Sequence, residues 1–435
     1  MMVLGFLVII LVGTLLLCFP ISSKSGSYTP LFDCLFTATS ATCVTGLIIY
    51  DTFSHWNIFG QTVIALLIQI GGLGFVTIIT FFNIAAGKKL GYRTIADAAD
   101  GLTENNFVGG KKIFISIIKY SFIIELIGAA VLAISFVPRY GAYGVWVSIF
   151  MSITAFCNAG FDLMGQEEQF SSLMHFQDDP LVLITIALLI IVGGIGFIVW
   201  ENFLNYKKVR KLSLHTRAVL VMTAILVVGG TLFYLFAEWN NPATLKDMSF
   251  GEKLVNAFFS SVTARTAGYN SISIEGMTDF AQLGTVALMF VGAAPASTGG
   301  GIKVTTLLVL VMTVVSYIRN KNDVEIFHHK IDKLVVYRTL VITALYMTVS
   351  ALCFTVLYCS SSSNAVACLF ESVSALATTG LSAGVTANAS FAGQMTLIVT
   401  MFIGRVGPVS IIMSLTLNGK KRKNIVVPDG QILIG

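Results

Sequence analysis

The sequence predicts an all-α polytopic membrane protein, with four tandem membrane helix–pore loop–membrane helix repeats around a central pore. Three observations carry that expectation. The 435-residue chain is 55% hydrophobic and only 11% charged, far from the balance of a soluble domain. Its apolar residues collect in eight runs of helical length. A glycine behind a short polar segment also returns four times, always between two such runs: ATCVTGL at 41–47, AFCNAGF at 155–161, ARTAGY at 264–269 and ALATTGL at 375–381. A soluble bundle of this size would need far more polar surface than 22 acidic and 27 basic residues provide.

The apolar runs fall at about 5–20, 59–85, 113–137, 181–203, 218–237, 283–318, 334–359 and 395–417. A helix needs about 20 apolar residues to cross the bilayer core, so eight crossings are expected. The first run reads as a membrane helix and not as a signal peptide, because it lacks a basic lead-in and 22–29 is no convincing cleavage site. The repeats occupy 1–90, 110–207, 216–320 and 334–420. Cytoplasmic segments at 91–109, 208–215 and 321–333 join them, and 421–435 forms a cytoplasmic tail. Units of fixed order and this size argue for repeated structure.

Charge sets the orientation. Lys88, Lys89, Arg93, Lys111 and Lys112 share one loop, and Lys207, Lys208, Arg210, Lys211 and Arg217 a second. Arg319, Lys321, Lys330, Lys333 and Arg338 fill a third, and Lys420, Lys421, Arg422 and Lys423 open the tail, so 19 of 27 basic residues lie on one face. The positive-inside rule places that face and both termini in the cytoplasm. Simple topology determination suffices to explain the basic loops, and membrane lipids are natural partners for them. The opposite face carries 5 basic and 13 acidic residues, a net charge of −8, including Asp33, Asp51, Asp162 and Glu371. Such a face concentrates cations.

The four polar segments would dip into the protein, since irregular backbone within hydrocarbon is tolerated only against protein or a water-filled cavity. Their carbonyls could then replace the hydration shell of a cation such as K+ near Gly46, Gly160, Gly268 and Gly380. The candidate filter residues are Val44, Thr45 and Gly46; Asn158, Ala159 and Gly160; Thr266, Ala267 and Gly268; and Thr378, Thr379 and Gly380. Phe36, Phe150, Phe258 and Phe370 stand ten residues before their glycines. The third loop is one residue shorter between its alanine and its glycine, and it contains Arg265. An unpaired cation facing the pathway would oppose cation passage, so Arg265 is expected behind the filter, paired with Glu371. Asp33, or an outward solvated position, is the competing reading.

The second run of each repeat is glycine-rich: Gly71, Gly72 and Gly74; Gly193, Gly194 and Gly196; Gly299, Gly300 and Gly301; Gly404 and Gly407. Close helix packing is the expected reason in the first two. In the third, Ala293, Ala294, Pro295, Ala296, Ser297, Thr298, Gly299, Gly300 and Gly301 cannot form a straight helix cheaply. A mid-membrane loop acting as a gate is expected there, with a fixed packing kink as the alternative. Lys303 follows it, and Arg405 lies in the fourth repeat's second run; charges at such depth are costly and often functional. They would either hold the loop or raise an electrostatic barrier. Seven cysteines without paired spacing read as buried apolar fillers. No P-loop or nucleotide fingerprint is present, so the chain is expected to be no enzyme, to bind no nucleotide itself and to contact no nucleic acid.

These loops resemble the Trk/Ktr/HKT superfamily of cation-translocating proteins, in particular the membrane subunit of bacterial Ktr potassium uptake systems. The resemblance rests on the segments at 37–47, 152–163, 261–271 and 372–381, with GQTVIALLIQIGGLGF at 60–75 and MFIGRVGP at 401–408. It implies one potassium pathway per chain, a homodimer with two independent pores, and a cytosolic ring of nucleotide-binding regulatory subunits. It also implies that Gly46, where relatives permeable to sodium carry serine, favours K+ over Na+. The gating loop would correspond to 292–301, with Arg405 as its electrostatic neighbour. Less selective K+/Na+ passage, or Na+-coupled symport with Na+ as partner or activator, are the rival readings. A membrane scaffold without transport would leave four filters unexplained.

Overall fold

A computed structural model describes residues 2–74, 110–206 and 210–407. The expected 91–109 loop, the inner ends of the runs at 59–85 and 395–417, and the 421–435 tail lie outside them. The described chain is helical except for one two-stranded hairpin, β1 (Glu325–Ile326) with β2 (His329–Lys330).

Four stretches share one order of elements. The first holds α1 (Met2–Cys18), α2 (Leu31–Thr42) and α3 (Ile58–Leu73). The second holds α4 (Gly110–Tyr140), α5 (Tyr143–Phe156), α6 (Pro180–Gly194) and α7 (Phe197–Leu204). The third has α8 (Leu214–Glu238), α9 (Phe250–Thr263), α10 (Asp279–Phe290) and α11 (Val304–Ile318), and the fourth α12 (Lys333–Ser360), α13 (Ala365–Ala377) and α14 (Phe391–Val406). The helices after each glycine turn begin on side-chain caps, in which Asn57, Asp179, Thr278 and Ser390 accept from backbone amides of the first turn; a cap contributes about 1 kcal/mol.

The contacts between stretches close a circle. The short helices α2, α5, α9 and α13 each pack on both longer helices of their own stretch or its neighbour. Between stretches, α3 packs on α5, α6 on α9, α10 on α13, and α14 returns to α2. The short helices are buried among the long ones, and long-helix residues such as Leu126, Ile127, Phe236 and Leu352 project from the outside. That inversion of the usual pattern is what a lipid-facing bundle requires.

The apolar runs expected to make eight crossings are not all single long helices. Among the described residues, three helices are long and apolar enough to cross a membrane: Ile115–Tyr140 within α4, α8 and α12. The pair α6 and α7 makes a fourth only if its 90° bend is counted within one span. The helix after each glycine turn is stopped at one place. Gly74, Gly196 and Gly407 take φ of +84°, +90° and +87°, which side-chain-bearing residues rarely adopt. In the third stretch the helix stops at Phe290, and Pro295 lies in the loop between α10 and α11. The segments QIGGLG, IVGGIG, FVGAAP and FIGRVG align at this break, so the pattern was present in the sequence.

A second correction concerns Phe258, which is only partly buried, whereas Phe259 is fully enclosed like Phe36, Phe150 and Phe370. Because the third loop is one residue shorter, its phenylalanine stands nine residues before the glycine. The cysteines are all free, five of them buried, as expected of apolar fillers.

Candidate ion pathway

Each short helix ends in a turn of unusual hand. The residue two before every glycine is left-handed: Val44 (φ 57°), Asn158 (φ 59°), Thr266 (φ 67°) and Thr378 (φ 52°). Gly46, Gly160, Gly268 and Gly380 follow at φ 94°, 69°, 83° and 88°. Left-handed residues at alternate positions cost free energy, so the turn persists only where its surroundings fix it. Hydrogen bonds do so here. The amides of Thr45, Ala159 and Thr379 donate to the carbonyls of Ser40, Thr154 and Ser374, five residues back, while Ala267 reaches only four back to Thr263. The Ser40 and Ser374 hydroxyls accept from the Gly46 and Gly380 amides at 3.1 Å each. In the shorter third turn Thr263 Oγ1 accepts from the Tyr269 amide and donates to its carbonyl.

The four turns meet in cyclic order. A Cβ on Gly46 would lie 2.5 Å from the Ala159 carbonyl oxygen, one on Gly160 2.8 Å from that of Ala267, and one on Gly268 2.6 Å from that of Thr379. A Cβ on Gly380 would run into the Thr45 oxygen, closing the ring. The carbonyl before each glycine therefore faces the next glycine. All eight non-glycine candidates of these turns are buried. Polar side-chain atoms of Thr45, Asn158, Thr266, Thr378 and Thr379 lack hydrogen-bond partners there.

On one side the ring opens into a cavity of about 460 Å³ lined by all four glycines, Asp162, Ser273, Glu275, Ser382 and Asn388. Of the acidic residues assigned to the outer face, Asp162 and Glu275 reach this cavity. Asp33 accepts from Tyr50 instead, Asp51 accepts from the Ser54 amide, and Glu371 takes bonds from Ser382, Ala383 and Thr386. Composition showed the negative face; only tertiary contact distinguishes the two carboxylates facing the mouth from those tying loops.

On the other side lies the loop between α10 and α11. Ala293, Ala294, Thr298, Gly299, Gly300 and Gly301 are buried, while Pro295, Ala296 and Ser297 are half-buried. The loop meets three of the four turns directly: Thr298 Oγ1 donates to Asn158 Oδ1 at 3.2 Å, and Gly299 and Gly300 lie against the Thr266 and Thr378 hydroxyls. The amides of Ala294 and Thr298 donate to Gly194 and Gly193, and that of Phe197 to Ala296. Lys303 Nζ holds the Gly299 carbonyl at 2.8 Å. Arg405, from the neighbouring fourth stretch, donates to the carbonyls of Thr298 and Gly71, with the Gly72 carbonyl 3.4 Å away.

The glycines opposite the short helices permit this closeness. A Cβ on Gly71, Gly193 or Gly404 would collide with the carbonyl of Thr42, Phe156 or Leu376, at the ends of α2, α5 and α13. Sequence reasoning missed a buried strut between the first two stretches: Glu125 accepts from Gln69 Nε2 at 2.8 Å, and Gln69 Oε1 accepts from Cys157 Sγ at 3.6 Å. An isolated Gln and Glu in apolar runs were its only trace.

Arg265 overturns its expected pairing. It lies behind the ring, 6% exposed, but forms no salt bridge with Glu371 or Asp33. Glu371 is occupied by its own loop, which leaves no lone pair aimed at a guanidinium.

Comparison with known proteins gives the family. The family model described as TrkH, cation transport protein, matches residues 3–422. The chain belongs to the TrkH family. It is therefore a multi-pass membrane protein of cation transport and not an enzyme. It is 38% identical to the potassium/sodium uptake protein NtpJ of Enterococcus hirae, over 99% of this chain and 96% of that protein. It is 37% identical to the Ktr system potassium uptake protein B of Bacillus subtilis, over 99% and 95% of the two chains. The crystal structure of the potassium transporter TrkH from Vibrio parahaemolyticus superposes with a TM-score of 0.70 at 17% identity, covering 95% of this chain and 85% of that one. That likeness concerns the fold.

Proposed function

We propose that this chain is a potassium-selective uptake pathway of the cell membrane. Its four stretches act as repeats around one filter, gated by the loop at 293–301. The cyclic contact of Gly46, Gly160, Gly268 and Gly380 with the carbonyls of Ala159, Ala267, Thr379 and Thr45 carries the reading. Carbonyls fixed in a ring can replace a cation's hydration shell without reorganising, and buried backbone at that depth needs such a role. K+ is cargo here. The loop under Asn158, Thr266 and Thr378 obstructs the route, and Lys303 and Arg405 tether it. Asp162 and Glu275 concentrate cations at the mouth.

The charge segregation supports cytoplasmic N- and C-termini. The proposed partners are those the resemblance to Ktr systems implies, a second copy of the chain and a cytosolic nucleotide-binding ring, with membrane lipid around the apolar exterior. The potassium/sodium uptake named for the Enterococcus hirae relative favours one second reading, a less selective K+/Na+ pathway; Na+ as activator or coupled ion belongs with it. Zero-current potentials across liposomes holding the purified chain separate these readings. A potential that follows the K+ gradient in the parent and moves toward Na+ in Gly46→Ser supports the filter. A parent potential that needs both gradients in fixed proportion supports coupling.

A further inference from the structure

Arg265 is the most costly unexplained group in the molecule. It sits at the end of α9, next to Thr266 of the third turn, and it lines a small cavity of about 10 Å³. The remaining wall consists of Asn158, Thr223 and Gly194, with Ile190, Ile191, Val262 and Ala293. Arg265, Asn158 and Thr223 are each more than nine-tenths buried. Each also presents an unpartnered polar atom: Arg265 Nε, Asn158 Nδ2 and Thr223 Oγ1. The other Asn158 atom, Oδ1, is engaged by Thr298. Among the described residues, Arg265 makes no ion pair or side-chain hydrogen bond.

The chemistry of this wall is one-sided. Guanidinium and amide nitrogens only donate, and a threonine hydroxyl can donate as well. No carboxylate lines the cavity. An unpaired buried charge costs several kcal/mol, and the C-terminal dipole of α9 offsets only a fraction of one charge. A cavity of this size accepts one small ligand. A water would satisfy hydrogen bonds but leave a net positive charge beside a route for cations. A monovalent anion does both tasks.

We propose that Arg265, Asn158 Nδ2 and the Thr223 hydroxyl form a buried halide site, filled by chloride, that neutralises Arg265 behind the third turn. Ala293 of the intramembrane loop and Asn158 of the second turn share its wall, so the anion braces the place where loop and turns meet. The site rests on the cavity and its donors; only its effect on transport rests on the filter reading.

Bromide is the probe. Crystals of the full chain grown with bromide replacing chloride are expected to show an anomalous bromine peak within hydrogen-bonding reach of Arg265 and Asn158. Thermal unfolding of the purified chain is expected to shift upward as chloride replaces gluconate. Thr223→Val keeps the volume and lies outside filter and loop; losing one hydrogen bond should raise the half-saturating chloride concentration about five-fold. A bromine peak only elsewhere, no peak at all, a water alone in the cavity, or a midpoint indifferent to chloride overturns the site. None of those outcomes touches the zero-current potential, which tests the filter separately.

Discussion

Replacing Arg405 by glutamine asks whether this side chain holds the intramembrane loop in place. Its guanidinium joins Thr298 of the loop to Gly71 at the end of α3, two points far apart in sequence. Glutamine is too short to span both carbonyls. A hydrogen bond from a charged donor is worth about 1.5–3 kcal/mol net. Only the Thr298 bond ties the loop itself, since Lys303 and the Gly193 and Gly194 carbonyls keep their contacts. The loss of that one bond should raise the displaced-loop population by roughly ten- to 150-fold. Potassium flux into liposomes holding the chain alone should rise accordingly, with an unchanged zero-current potential because the carbonyl ring is not altered. Arg405→Lys distinguishes a tether from a charge barrier: lysine keeps the charge but cannot bridge both carbonyls, so its flux should be intermediate. A flux that stays at the parent level in Arg405→Gln, with folding intact, refutes the tether. Arg405→Lys indistinguishable from the parent would point to the charge instead.

Three further outcomes follow from the same geometry. Gly193→Ala sets a methyl against the Phe156 carbonyl and 2.9 Å from Thr298 Oγ1, so thermal unfolding should show about 1–3 kcal/mol of overpacking; a neutral result would mean α5 and α6 can separate. Glu275→Gln removes one charge from the mouth. At about 4 Å in water that charge is worth roughly 1 kcal/mol, so initial K+ influx should fall about five-fold at low ionic strength, and the deficit should shrink as added salt screens the parent's charge. Glu371→Gln replaces an acceptor of bonds from Ser382, Ala383 and Thr386 with a group that partly donates; stability should drop by about 2–4 kcal/mol, and an unchanged unfolding midpoint would remove Glu371 from the outer loop's support.

Much of this molecule was legible along the chain because membranes impose simple rules. Apolar runs and four glycines behind polar helices are local patterns, so they pointed to four similar stretches, their glycine turns and the non-helical segment that includes 292–301. The break in the helix after each turn was equally local but went unread, since QIGGLG and IVGGIG look like ordinary packing glycines until Gly74 and Gly196 are seen at positive φ. The register of Phe259 needed the shortened third turn in three dimensions.

What the sequence alone determined is the set of residues that each stretch contributes: hydrophobic lengths, caps, and glycines where a Cβ has no room. Only tertiary structure decided the partners, because those arise between different stretches, 56 residues apart or more. It joined Arg405 to Thr298 and Gly71, Gln69 to Glu125 and Cys157, and each glycine to the next carbonyl around the ring. It also separated Arg265 from Glu371. Opposite charges in a sequence attract in prospect, but inside a membrane bundle the nearer donors of a carboxylate's own loop satisfy it first, and the guanidinium is left facing a cavity instead.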